Sequence, residues 1–364
     1  MTTIAAVQRD SKAVLTGGGI FGAVQAALMA AFEQASGLPF FKSFPGGVFC
    51  TSVGAINGAS VWPLRETGKP VVGTSKLNGV YLNRIADAFR KRWLGLGGVL
   101  GKYKYDTSNF EDLLEETFGD IRLSEFDDGL NIIVYDLANN KIRVLSSQKA
   151  TQDKTEDFYI RDVLRAAMNA PYFFEMIPIT NMAGEECDFA DAGIVNKDFT
   201  DGACEAAEDK ENLVLTTFAT GHRRGISYTV KDLGRGIRSL SKLATIQIDH
   251  SANRADRKTR NALDDPQYTR LDVDIGDSDV DMVSRKIEKV TPYAEKAVRE
   301  NALNGVFARA VHNIHGPNWK LGNIDLPPEP RQVEIKLPRI PLKFSLSWRR
   351  PTEHAEPAPV ITNE

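Results

Sequence analysis

Short apolar runs that end at small residues alternate with helix-forming stretches in the first part of the chain. Ala13–Thr16 is apolar and stops at a run of glycines, a pattern typical of a buried strand that ends in a tight turn. Ala23–Glu33 is rich in alanine and other helix formers, and Gly37 and Pro39 follow it. The sequence therefore predicts a strand, a glycine turn and a helix in succession.

The same pattern is repeated immediately afterwards. Val48–Cys50 is a second short apolar run, and Ala55–Trp62 predicts a helix that begins just after Ser52. Strand, turn and helix repeated in this order are typical of parallel strands joined by helical crossovers. We expect an α/β fold of three layers, with a mainly parallel central sheet and helices on both faces.

Later segments extend this pattern and then end it. Residues 64–105 interrupt the alternation, and we interpret them as an insertion that acts as a lid or a membrane contact. Residues 1–325 are predicted to form one domain and residues 326–364 a proline-rich C-terminal tail. Further strands are predicted at Leu130–Leu137 and Lys141–Leu145 (a hairpin through Asn139–Asn140), Leu213–Ala219 and Leu271–Ile275. Further helices are predicted at residues 108–118 (opened by a capping box from Ser108 to Glu111), Ile160–Ala170 and Asp281–Asn313, the last broken at Pro292 and Gly305.

Composition excludes several classes of protein. The chain has 364 residues, 42% of them hydrophobic, which is enough for a large core. A net charge of -3 gives no general attraction to nucleic acid. Three cysteines are too few for a disulfide framework and lack metal-site spacing, so a reducing cytoplasm is expected. No secretory signal or membrane-spanning apolar stretch is evident, and we expect no metal, no organic cofactor and no nucleic acid partner.

The glycine run after the first strand is a candidate anion site. Gly17, Gly18 and Gly19 carry no Cβ, so their N–H groups can converge and a ligand can approach closely. The helix that follows adds the positive end of its dipole. Each well-placed donor to an oxyanion contributes roughly 3–4 kcal/mol in the transition state. These three residues are therefore candidates for an oxyanion hole, although a turn that merely packs is the alternative.

The same run also fits a dinucleotide fingerprint. Gly17, Gly19 and Gly22 spell G-x-G-x-x-G after a strand. That motif needs an acidic residue about 20 positions later to bind the ribose. No Asp or Glu occurs between Glu33 and Glu66. A dinucleotide-binding protein thus stays an alternative that lacks its second anchor.

Ser52 lies where a nucleophile elbow is expected. A serine between a short strand and a helix of small residues matches the logic of G-x-S-x-G. Gly54 is in place, but Cys50 stands where the first glycine is expected. The Cβ of Cys50 is expected to strain a backbone that favours positive φ there. Ser52 is a candidate nucleophile, and an ordinary turn serine is the alternative.

Four segments follow one another in a characteristic order: Gly17–Gln25, Thr51–Gly58, Ala166–Phe174 and Asp191–Asn196. Taken together they resemble the patatin-like phospholipases, and the resemblance covers roughly residues 11 to 225. Asp106–Ser108, ahead of its predicted helix, also resembles that family.

The resemblance implies a lipid acyl hydrolase that uses a Ser–Asp dyad. It implies that Ser52 is the nucleophile, that Asp191 is the general base and that Gly17–Gly19 form the oxyanion hole. Histidine is scarce, with five in the chain and none before His222, which agrees with a carboxylate as the base. A carboxylate can serve if burial raises its pKa and the serine lies within hydrogen-bond reach.

Three departures from the family pattern support a second hypothesis. Cys50 replaces the first elbow glycine, Phe21 stands where the family usually carries Arg or Lys, and Ala192 replaces a glycine after the aspartate. These residues leave open a non-catalytic lipid-binding or assembly protein on the same scaffold.

The identity of the base has two alternatives. A second D-G-A turn, Asp201–Ala203, lies shortly downstream, but Asp191 is preferred because Ile194–Asn196 follows it as the family pattern requires. Ser52, Asp191 and His222 also follow the chain order of a triad. We favour an exposed loop histidine at His222, since the dyad needs no histidine.

Two segments combine basic and apolar residues. Arg84–Leu100 and Ile335–Arg350 both contain tryptophan beside Lys or Arg, as in segments that lie at an anionic bilayer surface. Core packing for the first and oligomer docking for the second are the alternatives. The expected partners are a membrane phospholipid or other lipid ester as substrate, a membrane surface bound peripherally, and a second copy of the chain.

Overall fold

The computed structural model describes residues 10–81, 84, 88, 90–91, 105–171, 173–196, 198–207, 209–221, 253–263, 267–275 and 287–327. The strands in these residues are β1 (Asp10–Leu15), β2 (Val48–Thr51), β3 (Arg90–Lys91), β4 (Tyr105–Asp106), β5 (Leu130–Asp136), β6 (Lys141–Ser146), β7 (Ile179–Thr180), β8 (Glu186–Cys187), β9 (Phe189–Asp191), β10 (Leu213–Phe218) and β11 (Tyr268–Leu271). The helices are α1 (Gly22–Ser36), α2 (Val53–Val61), α3 (Thr74–Val80), α4 (Ser108–Phe118), α5 (Ser147–Ala150), α6 (Ile160–Met168), α7 (Thr200–Glu205), α8 (residues 253–262), α9 (Thr291–Leu303) and α10 (Val306–His315).

A seven-stranded sheet runs through the described part of the chain. Its order is β11-β10-β1-β2-β5-β6, and β9 pairs with β5 as well. The strands from β11 to β5 pair in parallel, whereas β6 and β9 run antiparallel to β5. The mainly parallel sheet predicted from the sequence is therefore confirmed.

Alternating side chains of the strands feed two separate hydrophobic clusters. In β1, Ala13 and Leu15 belong to one cluster and Val14 belongs to the other. Successive residues of a strand point to opposite faces, so the two clusters lie on the two sides of the sheet. Helices α1, α2, α6, α9 and α10 contribute to the first cluster, and α7 contributes Ala203 and Cys204 to the second. Helices cover both faces, which confirms the three-layer arrangement.

Four phenylalanines join α1 to the sheet. Phe32 of α1 and Phe218 of β10 pack edge to face at a centroid distance of 5.4 Å. Phe40 and Phe44, from the segment between α1 and β2, each lie within 6.3 Å of Phe32 by ring centroids. All four side chains are fully buried. Aromatic pairs of this kind contribute about 0.5–1.5 kcal/mol beyond their buried area, so this cluster anchors α1 on β10.

Local patterns predicted six of the seven strands of the central sheet, although some of the predicted bounds are wrong. Strand β9 and helices α3, α5, α7 and α8 were not predicted. Helix α4 spans the predicted residues, but Thr107 rather than Ser108 is its N-cap, and the Thr107 hydroxyl donates to Glu111 at 2.9 Å. The predicted capping box from Ser108 to Glu111 is therefore not formed, because the N-cap side chain makes no capping hydrogen bond to the backbone. The late strand is Tyr268–Leu271 and not the predicted Leu271–Ile275, because pairing with β10 fixes its register.

The predicted helix between residues 281 and 313 is two helices in its described part. Pro292 lies in the first turn of α9 instead of breaking a longer helix. A proline is tolerated there because the first N–H groups of a helix have no intrahelical partner. Gly305, with φ 67°, separates α9 from α10 as predicted.

Several predicted features lie outside the described residues. They are His222, most of Arg84–Leu100 and the whole of Ile335–Arg350. Among the helices that are described, none has the length and apolar character needed to cross a lipid bilayer.

Candidate active site

Ser52 is the single residue between β2 and α2. Its backbone has φ 55° and ψ −126°, a positive φ that only three non-glycine residues adopt in the described part of the chain. A non-glycine residue in such a region costs on the order of 1–3 kcal/mol and persists only where its surroundings impose it. The side chain is 6% exposed. The structure therefore contains a strained strand-to-helix corner at the predicted nucleophile.

Small residues make room for this corner. A Cβ at Gly54 would lie 2.7 Å from the carbonyl carbon of Leu15, so only glycine lets α2 start against β1. A Cβ at Gly58 would overlap Cys50 Sγ, so the Cys50 side chain occupies the space that Gly58 leaves. Positive φ falls on Ser52 and not on Cys50. The expectation that Cys50 strains the elbow is wrong, because Cys50 lies within β2 and its side chain is accommodated in the core.

Strand pairing brings Asp191 next to Ser52. In β5, Ile133 pairs with Thr51 of β2, and the next residue, Val134, pairs with Asp191 of β9. Strand β6 occupies the other edge of β5 throughout, so β2 and β9 share one edge and meet end to end. Asp191 ends β9 as Thr51 ends β2. The Asp191 carboxyl group therefore lies at the end of β9, and Ser52 lies just after the end of β2. The two strand ends meet at the same point along β5.

The Asp191 carboxyl group is buried and held by its own turn. Its side chain accepts a hydrogen bond from the Gly193 N–H at 2.7 Å, and its N–H donates to the Asn169 carbonyl oxygen at 3.0 Å. Burial raises the pKa of Asp191 to about 6, against the opposing effect of hydrogen bonding by Ser52 and the Gly193 N–H. The group is therefore ionised at neutral pH but is more basic than an ordinary aspartate.

The Ser52 hydroxyl contacts two side chains. Its aligned hydrogen bond goes to Met168 Sδ at 3.6 Å, at the end of α6. It also interacts with the Asp191 carboxyl group and lowers that group's pKa. The two predicted dyad residues are brought together, with the hydroxyl turned toward the thioether.

The glycine turn follows β1, the neighbour of β2. Leu15 pairs with Cys50, so Gly17 and Ser52 each lie two residues beyond a paired position. Gly19 begins a short 3-10 turn that leads into α1. Among the residues that the structure describes, the N–H groups of Gly17–Gly19 donate to no protein acceptor. These N–H groups are free to bind a ligand at the carboxyl ends of β1 and β2, where Ser52 also lies.

A buried polar network fixes the approach to the glycine turn. Gln25 Nε2 of α1 donates to the carbonyl oxygens of Thr16, at 3.2 Å, and Phe218, at 2.7 Å. Asn57 of α2 donates to Gln25 Oε1 at 2.8 Å and accepts from the Tyr81 hydroxyl at 2.6 Å. Sequence reasoning did not assign these residues a role. The sequence does contain an indication of this network, because Gln25 and Asn57 are polar residues within helices of small and apolar residues.

Two of the departures from the family pattern lie in apolar packing. Phe21 is 2% exposed and packs edge-on against Tyr293 of α9, with 5.9 Å between ring centroids. Ala192 is fully buried in the second hydrophobic cluster. Each of these side chains therefore belongs to the hydrophobic core.

The competing aspartate has other partners. Asp201 lies in α7, where Oδ1 accepts from Asn196 Nδ2 at 2.9 Å and Oδ2 lies 3.5 Å from Lys258 Nζ. Asp191 is thus the aspartate that strand pairing brings to Ser52. No group of three His, Cys, Asp or Glu side chains within the described ranges is arranged to hold a metal ion.

Comparison with known proteins identifies the family of the chain. The family model for patatin-like phospholipase matches residues 13–203, more than half of the chain. The search of curated proteins found no significant match. Among solved structures, VipD from Legionella pneumophila is similar with 9% identity and a TM-score of 0.38, over 80% of this chain and 67% of that chain. That similarity is too weak to carry an argument, and the assignment depends on the family match alone. The chain belongs to the patatin-like phospholipase family.

Proposed function

We propose that this protein is a lipid acyl hydrolase of phospholipase A type, with Ser52 as the nucleophile and Asp191 as the general base. The observation that carries the proposal is the meeting of β2 and β9 on one edge of β5, which brings a strained serine and a buried carboxyl group together. Membership of the family supports lipid ester hydrolysis as the reaction class.

The proposed reaction proceeds in two halves. Asp191 takes the proton from Ser52 as Ser52 Oγ attacks the ester carbonyl carbon, and the oxyanion that forms is stabilised by N–H groups of Gly17–Gly19. The tetrahedral intermediate then expels the alcohol, which receives the proton from Asp191. In the second half, Asp191 takes a proton from water, whose oxygen attacks the acyl-serine. Collapse releases the fatty acid and returns the proton to Ser52.

Electrostatics support Asp191 in this role. A general base works best when its pKa lies near the operating pH, and burial raises the pKa of Asp191 to about 6. The proposed attack requires the Ser52 hydroxyl to turn from Met168 Sδ toward the carboxylate. Peripheral membrane contact is part of the same proposal, because a lipid ester substrate resides in a bilayer.

A second candidate is a non-catalytic lipid-binding or assembly protein. The hydrogen bond from Ser52 to Met168 favours it, because the hydroxyl is engaged away from Asp191 in this structure. A fluorophosphonate probe separates the two functions. It forms a covalent adduct at Ser52 only when the hydroxyl is activated.

The test is fatty acid release from a panel of phospholipid vesicles and triglyceride emulsions. We expect turnover by the wild type and a loss of at least about 10³-fold in Ser52→Ala and in Asp191→Asn. Asp201→Asn is the matched control and should keep wild-type activity. Thermal unfolding of each variant verifies that the fold is retained.

Three results would count against the proposal. Full turnover by Ser52→Ala would eliminate the nucleophile. A wild-type protein that neither releases fatty acid nor forms the fluorophosphonate adduct would favour the non-catalytic candidate. Loss of activity in Asp201→Asn alone would reassign the base.

A further inference from the structure

A buried threonine holds the carbonyl oxygen of the first glycine in the turn. Thr220 follows β10 and is 1% exposed. Its hydroxyl donates to the Gly17 carbonyl oxygen at 2.6 Å, and its N–H donates to Thr16 Oγ1 at 3.0 Å. Thr220 and Gly17 are 203 residues apart in the sequence, so no local motif indicates this contact.

The contact determines the direction of the next N–H group. A peptide unit is planar and trans, so the Gly18 N–H points opposite to the Gly17 carbonyl oxygen. Strand β1 lies between β10 and β2. Thr220 follows β10, whereas Ser52 follows β2. With the carbonyl oxygen drawn toward the β10 side, the Gly18 N–H is directed toward the β2 side, where Ser52 lies.

The fit between the two residues is close. A Cβ at Gly18 would overlap the Thr220 hydroxyl and lie 3.1 Å from its Cγ2. Glycine at this position therefore lets the hydroxyl reach the carbonyl oxygen of Gly17. Without that hydrogen bond, the Gly17–Gly18 peptide could rotate, because glycine has access to a wide range of φ and ψ. A donor that must reorient during the reaction stabilises a transition state less than a donor already aligned.

We infer that Thr220 is a positioning residue for the oxyanion hole, holding the Gly17–Gly18 peptide so that the Gly18 N–H faces the reacting ester carbonyl. Thr220 touches neither substrate nor nucleophile in this role. The inference rests on the proposed hydrolase function. In this role Thr220 affects kcat and does not affect substrate binding.

The test compares three substitutions in the full chain. Thr220→Val removes the hydroxyl at nearly constant volume, and Thr220→Ser restores it. Thr216→Val is the matched control, since Thr216 lies in β10, is fully buried, and its hydroxyl has no partner among the described residues. Fatty acid release from phosphatidylcholine vesicles gives kcat and KM, and the rate of fluorophosphonate labelling gives a second readout of Ser52.

We expect Thr220→Val to lower kcat about 10- to 100-fold, less than the roughly 10²–10³-fold cost of deleting a donor. KM should stay within about twofold, and labelling should slow in parallel, because both reactions develop negative charge on an oxygen at the same place. Thr220→Ser should recover most of kcat, and Thr216→Val should match the wild type. If Thr220→Val does not fold, Thr220→Ala takes its place with the same expectation.

The inference fails if Thr220→Val keeps wild-type kcat, if only KM rises, or if Thr216→Val loses as much activity. Failure of the proposed function is distinguishable from these results. In that case the wild type itself neither releases fatty acid nor forms an adduct, whereas failure of the inference alone leaves an active wild type and an equally active Thr220→Val.

Discussion

Asp191, the proposed general base, is an ionisable group in a buried position. Burial disfavours its charged form, and among the described residues Ser52 and the Gly193 N–H offset part of that cost. The outcome is a carboxyl group with a pKa of about 6, against 3.8 for an ordinary aspartate. A base of that strength accepts a proton from serine more readily than an unperturbed carboxylate would.

The pH dependence of hydrolysis follows from this pKa. Below about pH 6 the carboxyl group is protonated and cannot accept the Ser52 proton, so kcat/KM should fall about tenfold for each further unit of pH. Above about pH 7 the rate should level off. A rate profile between pH 4.5 and 8 on an uncharged ester measures this dependence.

Asp201→Asn is the control for that profile and should leave its midpoint unchanged. Thermal unfolding at each pH separates titration of the base from loss of the fold. A rate that stays constant from pH 7 down to pH 5 would exclude Asp191 as the group that limits the reaction.

Sequence motifs predict some residues of the candidate site and miss others. Gly17–Gly19, Ser52 and Asp191 belong to short motifs, and the sequence identified them as candidates for that reason. Met168, which accepts the serine hydrogen bond, lies 116 residues from Ser52. Contacts at such separations depend on tertiary packing, and periodicity or spacing in one sequence contains no record of them.

Among the elements, α1 and α2 are connected to the sheet by polar side chains as well as by apolar packing. Gln25 donates to the carbonyl oxygens of Thr16, which follows β1, and of Phe218, which ends β10, and Asn57 links Gln25 to α2. These groups are fully buried. A buried network whose members are all satisfied gains strength from its low dielectric surroundings, and loss of one member leaves the others unpaired.

Gln25→Met should therefore destabilise the protein by about 2–4 kcal/mol, because the carbonyl oxygens of Thr16 and Phe218 and the Asn57 side chain each lose a buried hydrogen bond. Gln34→Met is the matched control on the same helix, where the exposed side chain should change stability by less than about 0.5 kcal/mol. Urea unfolding monitored by circular dichroism measures both. Equal urea midpoints for the two variants would show that the network does not contribute to stability.

Among the elements, sequence patterns predicted local structure accurately. They failed where pairing between distant strands determines the bounds of an element. The hairpin of β5 and β6 was predicted from two strand segments joined by Asn139–Asn140, and Asn140 has the positive φ that such turns use. The strand β11 was placed a few residues late, since its bounds depend on the pairing of Leu215 with Tyr268. Register between distant strands is a property of the assembled sheet.

For the whole molecule, the segment that matches the family does not contain all of the fold. The match ends at residue 203, whereas β10, β11, α9 and α10 come later. Strand β10 pairs with β1 along six residues, and Phe218 completes the aromatic cluster around Phe32. Arg270 of β11 pairs with the fully buried Asp198, seven residues after Asp191. The later elements thus support both the sheet and the turn that carries the proposed base.

A chain truncated after residue 211 should fail to fold cooperatively, although it includes Ser52, Asp191 and the whole family match. It leaves the edge of β1 unpaired, removes Phe218 from the core and leaves the buried Asp198 without Arg270. Loss of one partner from a buried ion pair alone costs about 3–5 kcal/mol, a large part of the 5–15 kcal/mol that stabilises a typical domain. A chain ending at residue 327 is the control and should show a cooperative thermal transition near that of the full chain. Near-ultraviolet circular dichroism and thermal unfolding distinguish the two, and a sharp transition in the shorter chain would show that the family segment is a domain by itself.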